Sequence, residues 1–226
     1  MALIPQNITI AFDGIKILPS THVKNLGLYI DRYMVFDKHI NELTKKVTGI
    51  LTYINRASIN FDKPTREIVI QSLVLSVIRY CIKIWGSTNA TLVSKVQKLQ
   101  NFAARVSVGG MSKYDHVSPA YQELKWLRIE DMYLKEILIT MYKAVRGLSP
   151  AWLHSFCPVS SITRTSTRQQ NNIFVPRTKT DSGDRAFAIK GPKMWNALSS
   201  EITNSTTLNT FKHRLMERFP NDKYPI

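Results

Sequence analysis

Lysine and arginine dominate the chemistry that this sequence can offer, and that chemistry is the binding of anions. The chain carries 31 Lys and Arg against 16 Asp and Glu, which gives a formal net charge of +15 and a pI near 9.9. Such an excess favours polyanionic partners, nucleic acid first and an anionic membrane second. The alternative is a surface that carries many lysines without any polyanionic partner.

A first group of cations lies on a predicted amphipathic helix. The apolar side of this helix consists of Leu92, Val96, Leu99, Ala103 and Val106. Three cations lie outside that side and would face solvent: Lys95, Lys98 and Arg105. They could contact phosphates by charge without reading bases. An ordinary solvated helix face explains the same residues equally well.

A second group of cations occupies a polar stretch near the C-terminus. Its aromatic neighbours Phe174, Phe187 and Trp195 could stack on bases, which favours a nucleic-acid site over a floppy basic loop. The sequence predicts phosphate contacts from seven residues: Arg164, Arg168, Arg177, Lys179, Arg185, Lys190 and Lys193.

Residues suited to catalysis or to metal binding are few. The five histidines are scattered without the spacing of a zinc pair, and Gly109-Gly110 lacks the lysine of a phosphate-binding loop. The adjacent acids Glu130-Asp131 open a predicted helix, where they favour its dipole. Two cysteines make no disulfide framework, so an intracellular, reducing compartment is expected. Composition and spacing thus predict no catalytic residue, metal site or cofactor.

The elements that position these cations centre on the stretch from Pro64 to Val106. Residues 68–85 are almost continuously apolar, which predicts a helix buried on all sides except one stripe. Asp62 is a good N-cap for it and Gly86 a good end. The charges of Arg79 and Lys83 leave its apolar run shorter than the roughly 20 residues of a membrane span.

The remaining elements make the predicted fold class mainly α. Helices are expected over 37–57, 118–126 and 129–146, after a small N-terminal antiparallel sheet with strands 7–12, 15–18 and 23–30. The polar residues 157–184 indicate a loop with one strand candidate, 173–175, before an amphipathic closing helix. These elements suggest three regions: a sheet over 1–36, a helical bundle over 37–156 and an irregular basic extension over 157–226.

An ordered series of segments carries a family resemblance. VKNLGLYID and FDKHI are followed by SLVLSVIRYCIKIWG, VQKLQNFAARV, LKWLRIEDMYLKEILITMYKAVRGLSP, VPRTKT, GPKMWNAL and FKHRL. From about Val23 to the closing helix, the chain resembles the C-terminal part of reverse transcriptases of LINE-type, jockey-like non-LTR retrotransposons.

The resemblance implies the end of a polymerase palm, a helical thumb and a C-terminal extension. Leu26 and Gly27 would match the strand that steadies the primer terminus. The family's catalytic aspartates bind two metal ions, but this sequence contains no Asp-Asp pair, so magnesium is expected only with a catalytic palm.

The expected partner is therefore an RNA or RNA–DNA template–primer duplex, held without catalysis, with no membrane and no small-molecule substrate. Two alternatives stay open: an interaction module whose charge is incidental, and an inert, degenerate copy of such an element.

Overall fold

The protein is mainly helical with small antiparallel sheets at its N-terminal side, which confirms the predicted fold class. The structure, a computed structural model, describes residues 10–156 and 173–219. The strands are β1 (Ile10–Phe12), β2 (Ile15–Ile17), β3 (His22–Asn25) and β4 (Leu28–Asp31). The helices are α1 (Asp37–Ala57), α2 (Lys63–Ile70), α3 (Ser76–Arg79), α4 (Ile82–Trp85), α5 (Ala90–Val108), α6 (Ser118–Leu124), α7 (Ile129–Val145), α8 (Ala151–Phe156), α9 (Asp181–Arg185), α10 (Phe187–Asn196), α11 (Ser200–Thr203) and α12 (Leu208–Glu217).

The strands form two separate hairpins, β1–β2 and β3–β4. Asp13-Gly14 makes the first turn, as predicted. The prediction of one strand over 23–30 in a three-stranded sheet is wrong, because Leu26 and Gly27 both have positive φ (46° and 86°) and turn the chain back. Residues 7–9 of the first predicted strand lie outside the described residues.

The central apolar stretch is not one continuous helix, contrary to the prediction. A π-helical turn, Gln71–Leu75, joins α2 to α3, and the chain then breaks at Tyr80-Cys81 before α4. Tyr80 leaves the helical conformation (ψ 124°) and ends α3, and Cys81 then adopts a left-handed conformation (φ 53°) before α4. The indole Nε1 of Trp85 donates to the Tyr80 carbonyl oxygen at 2.8 Å, so the break leaves that carbonyl hydrogen-bonded.

Burial of this stretch is also one-sided. Val74, Leu75 and Ile78 are fully buried, but Ile68 is 65% exposed and Leu73 51% exposed. The expectation that every side except one polar stripe is covered is therefore wrong. The reason is that α1 and α5 pack along one side of the stretch and leave the opposite side to solvent.

The long helices follow the sequence signals closely. Helix α1 spans the predicted residues, and α2 begins after Asp62, whose carboxylate accepts a hydrogen bond from the Thr65 N–H at 3.0 Å. Helix α5 ends at Gly109 (φ 77°), and α7 ends just before Gly147 (φ 68°). Within α5 the side chain of Gln100 is fully buried and donates to the Leu127 carbonyl oxygen at 2.8 Å, which ties α5 to the segment between α6 and α7.

The C-terminal region is more regular than predicted. The strand expected at 173–175 is wrong: the segment has no strand partner in the described part of the chain. Instead the Asn196 side chain accepts from the Ile173 N–H at 2.9 Å and donates to its carbonyl oxygen at 2.8 Å. Helices α9, α10 and α11 were not expected. Helix α10 contains Gly191-Pro192, a pair that usually disfavours a helix. A Cβ on Gly191 would lie 2.7 Å from the Met141 Sδ, so this glycine lets α10 approach α7 closely.

A second, smaller hydrophobic cluster holds α10 and α12 against α7. The Phe211 ring stacks on Tyr142 at 4.5 Å and on Trp195 at 5.8 Å between centroids. Helix α7 contributes to this cluster and to the main core. The three-region division remains a prediction. No helix within residues 10–156 and 173–219 combines the length and hydrophobicity that a membrane crossing requires.

Candidate nucleic-acid interface

Two of the three cations predicted on α5 face solvent. Lys95 and Lys98 are exposed, and the Lys95 Nζ reaches only the Asn41 Oδ1 of α1, at 3.3 Å. Arg105 is half-buried, its Nη2 donates to the Asp115 carbonyl oxygen at 2.8 Å, and its buried Nε has no partner among residues 10–156 and 173–219. Lys95 and Lys98 are thus accessible to a phosphate, whereas the Arg105 guanidinium already donates a hydrogen bond to the loop after α5.

Helix α1 adds cations that the sequence analysis missed. It lies beside α5 and exposes Lys38 and Lys45 on the side opposite its buried residues, and Lys46 at the flank of its buried side. Lys38 and Lys45 are seven residues apart, a spacing that places both on one helix face, so the sequence contains a signal for them. We name the α1–α5 basic face as Lys38, Lys45, Lys46, Lys95 and Lys98. Among the described residues, none of these lysines pairs with a carboxylate.

The Leu26-Gly27 turn lies at the edge of this face. The Tyr80 hydroxyl donates to the Leu26 carbonyl oxygen and ties the β3–β4 hairpin to the break after α3. Beside the turn is a cavity of about 500 Å³ that Gly27 lines together with Lys24 and Lys46. The structure therefore brings the predicted primer-contacting turn next to cations of the basic face.

Two of the nearby cations make cation–π contacts with one aromatic ring. The Nζ atoms of Lys24 and Lys38 lie 5.3 and 5.0 Å from the centroid of the Tyr29 ring. Contacts of this kind stabilise a cation by roughly 0.5–1 kcal/mol at exposed sites. They restrain two long side chains at the hairpin end of the basic face.

The lining of the same cavity includes a buried histidine. His39 is 6% exposed, its ring lies 6.2 Å from that of Trp85, and its Nε2 has no hydrogen-bond partner in the described part of the chain. Burial lowers the pKa of His39 below its ordinary value of 6.5, because the charged form loses hydration. The cavity places Lys24, Lys46 and Glu42 near this ring.

His39 should make stability depend on pH. Because its folded pKa is lowered, the unfolded chain binds more protons between that pKa and 6.5, so stability is full above about pH 6.5 and falls as the pH drops. We expect urea unfolding midpoints to fall less between pH 7 and pH 5 in His39→Phe than in the wild type. The exposed His116 gives a matched control, His116→Phe, which should keep the wild-type profile. Identical profiles for wild type and His39→Phe would contradict this assignment.

Some cations of the described part of the C-terminal group are exposed, and others contact groups of the protein. Arg177 and Lys179 are exposed. The Arg185 Nη2 donates to the Tyr33 carbonyl oxygen at 3.0 Å, and Lys193 pairs with Asp184 at 3.1 Å. The Lys190 Nζ lies 4.9 Å from the Tyr133 ring centroid, and burial lowers its pKa.

Asp184 brings most of the described group together: its Oδ1 accepts from the Thr178 hydroxyl at 2.5 Å and from the Lys193 Nζ at 3.1 Å. Arg177 and Lys179 flank Thr178 and Arg185 follows Asp184, whereas Lys190 lies over the Tyr133 ring. Arg185 also reaches the loop before α1 and so lies near one end of the α1–α5 basic face. Arg164 and Arg168 lie outside the described residues.

The aromatic residues of that region have different roles. Trp195 is 5% exposed inside the second cluster, and Phe187 packs against both clusters. Phe174 is 48% exposed. Of these three rings, only Phe174 presents enough surface for a base to stack on it.

Neither a metal centre nor a known relative adds to this site. Within residues 10–156 and 173–219, no three His, Cys, Asp or Glu side chains are placed to hold a metal ion. Comparisons of the chain with protein families, with curated proteins and with solved structures find no match.

Proposed function

We propose that the α1–α5 basic face binds the phosphate backbone of a nucleic-acid duplex. The observation that carries the proposal is the placement of five lysines on two adjacent helices, none paired with a carboxylate of the described residues, in a chain with a net charge of +15. Uncompensated cations along a rigid surface attract a polyanion, and contact with its phosphates releases condensed counterions.

The chemistry of the face favours binding without sequence preference. A lysine ammonium contacts a phosphate as a point charge, whereas base recognition relies on bidentate contacts from Arg, Asn or Gln to base edges. The five residues that define this face are all lysines, and the exposed Arg56 in the last turn of α1 is not among them. It should therefore hold a duplex in place and leave its sequence unread.

The resemblance of the ordered segments specifies the duplex that we propose. A C-terminal part of a non-LTR reverse transcriptase would hold an RNA or RNA–DNA template–primer duplex beside its palm. The Leu26-Gly27 turn and the neighbouring Lys24 and Lys46 would then lie near the primer strand. The role proposed for this chain is binding, and nucleotide addition would depend on a catalytic palm that supplies the metal-binding aspartates.

Fluorescence anisotropy tests the proposal directly. The full chain is titrated into a labelled RNA–DNA hybrid and into two B-form DNA duplexes of unrelated sequence, at salt concentrations from 50 to 200 mM. We expect the logarithm of the affinity to fall linearly with the logarithm of the salt concentration, with a slope of about −0.9 per phosphate contact on DNA. The two DNA sequences should bind alike. Weak, salt-insensitive binding would favour the interaction-module alternative, and a strong preference for one sequence would contradict phosphate-only contact.

A further inference from the structure

A second cavity, lined by residues other than the lysines of the α1–α5 basic face, lies where the break between α3 and α4 faces α7. Its volume is about 580 Å³, within the range of roughly 300–1,000 Å³ that is typical of small-ligand sites. Its apolar lining includes Ile82, Leu127 and Met132. These side chains belong to three separate segments, so the cavity exists only in the folded protein.

The charges around this cavity are strongly unbalanced. Arg79, Lys83, Lys125 and Lys135 line it, and Glu136 is the one carboxylate among its lining residues in the described part of the chain. The Glu136 Oε2 lies 3.3 Å from the Lys83 Nζ, so that carboxylate is already paired. Three cations are left without an anion in the lining.

The backbone helps to fix two of these cations. Lys125 ends α6 in a left-handed conformation (φ 53°), which is uncommon for a residue other than glycine. Arg79 is the last residue of α3, directly before the break at Tyr80-Cys81. The backbone positions of both residues are therefore set by the ends of helices.

The crowding of these cations has a measurable electrostatic consequence. Burial lowers the pKa of Lys135, Glu136 opposes this effect in part, and repulsion from Arg79 and Lys212 adds a smaller lowering. Folding thus brings together like charges from α3, α7 and α12, which costs free energy in the absence of an anion. A bound anion would offset that repulsion.

We propose that this cavity binds a compact polyphosphate, with its phosphate oxygens on Arg79, Lys125 and Lys135. Several phosphates joined in a short chain offer more oxygens and more negative charge to the three cations than a single phosphate does. A duplex presents its phosphates on a convex surface and fits the open α1–α5 basic face better than a concave cavity. The ligand chemistry is a polyphosphate chain, which free tripolyphosphate or a nucleoside triphosphate could supply. This proposal departs from the expectation of no small-molecule ligand and stands independently of duplex binding.

Calorimetric titration of the full chain with inorganic tripolyphosphate tests the proposal, at constant ionic strength and with sodium sulfate as the anion control. We expect saturable binding of tripolyphosphate and at least about tenfold weaker binding of sulfate. ATP is titrated in a second arm, where equal affinity would indicate that the phosphate chain alone is recognised and tighter binding that a nucleoside contributes. Absence of saturable binding by either polyphosphate would overturn the proposal.

Variants separate this cavity from the basic face. Arg79→Gln combined with Lys135→Gln should weaken tripolyphosphate binding at least about tenfold and leave duplex affinity within about twofold of wild type. Lys125→Gly removes a third cation at a left-handed position that suits glycine, so it provides a second variant if the first does not fold. The control, Lys45→Gln with Lys98→Gln, removes the same charge from the basic face and should keep tripolyphosphate binding. Equal losses in the cavity and control variants would mean that net charge alone attracts the anion and would overturn the proposal.

Discussion

Replacing Leu75 by Asp is expected to unfold the helical core. Leu75 is 0% exposed at the end of the π-helical turn and belongs to the main hydrophobic cluster. An unpaired carboxylate there would cost several kcal/mol, in addition to roughly 2–5 kcal/mol for the lost side chain. The sum is comparable with the roughly 5–15 kcal/mol that stabilises a typical domain. Circular dichroism should show loss of the cooperative thermal transition.

Leu73 provides a matched control for this substitution. It lies two residues earlier in the same π-helical turn but is half-exposed, so Leu73→Asp leaves the new carboxylate hydrated. We expect this variant to unfold cooperatively, with a free energy of unfolding within about 1 kcal/mol of wild type. Similar melting curves for the two variants would show that the described burial of this stretch is incorrect.

Removing four lysines from the α1–α5 basic face is expected to cause the largest loss of duplex affinity. The variant carries Lys→Gln at Lys45, Lys46, Lys95 and Lys98, all of which are exposed, so the core should stay intact. If each contacts one phosphate, the log–log salt slope on DNA should flatten by about 3 to 4, since each contact contributes about 0.9. Affinity near 0.1 M salt should fall on the order of a hundredfold or more, equally for unrelated sequences.

The matching control removes the same total charge elsewhere. Lys→Gln at Lys16, Lys63, Lys113 and Lys143, which lie outside α1 and α5, should change affinity only through the weaker long-range field. The slope of this control variant should remain close to that of the wild type. Equal slopes for both four-lysine variants would contradict local contact by the basic face.

A third variant tests the C-terminal cations that the sequence analysis proposed. Replacing Arg164, Arg168, Arg177 and Lys179 by Ser removes two exposed cations, Arg177 and Lys179, from the described residues and two cations from outside them. A flattened slope in this variant, with an unchanged slope in the α1–α5 variant, would move the proposed interface to the C-terminal region. Loss in both would indicate one extended binding surface.

Local signals determined the long helices of this protein. The Asp62 side chain caps α2, and left-handed glycines follow α5 and α7, because capping depends on hydrogen bonds and φ values within a few residues. The apolar seam of α5, with Leu92, Val96 and Ala103 buried, followed from helical periodicity in the same way. The excess of positive charge is a property of composition, so no structure was needed to detect it.

Only the tertiary structure decided where the central stretch breaks and which of its sides is covered. A run of apolar residues has the same periodicity whether one side or the whole circumference is packed, so the exposure of Ile68 and Leu73 could not be deduced from it. The break at Tyr80-Cys81 depends on partners far along the chain, such as the Leu26 carbonyl oxygen that accepts from the Tyr80 hydroxyl.

The same distinction explains the candidate sites. The sequence by itself determined that cations are abundant and that α5 turns Lys95 and Lys98 outward, because both follow from composition and helical spacing. Folding alone decided that Lys190 lies over the Tyr133 ring, that Trp195 joins the core, and that Arg79 and Lys135 meet at one cavity. Such contacts join residues far apart in the chain, and their geometry depends on how helices pack, which no short stretch of sequence encodes.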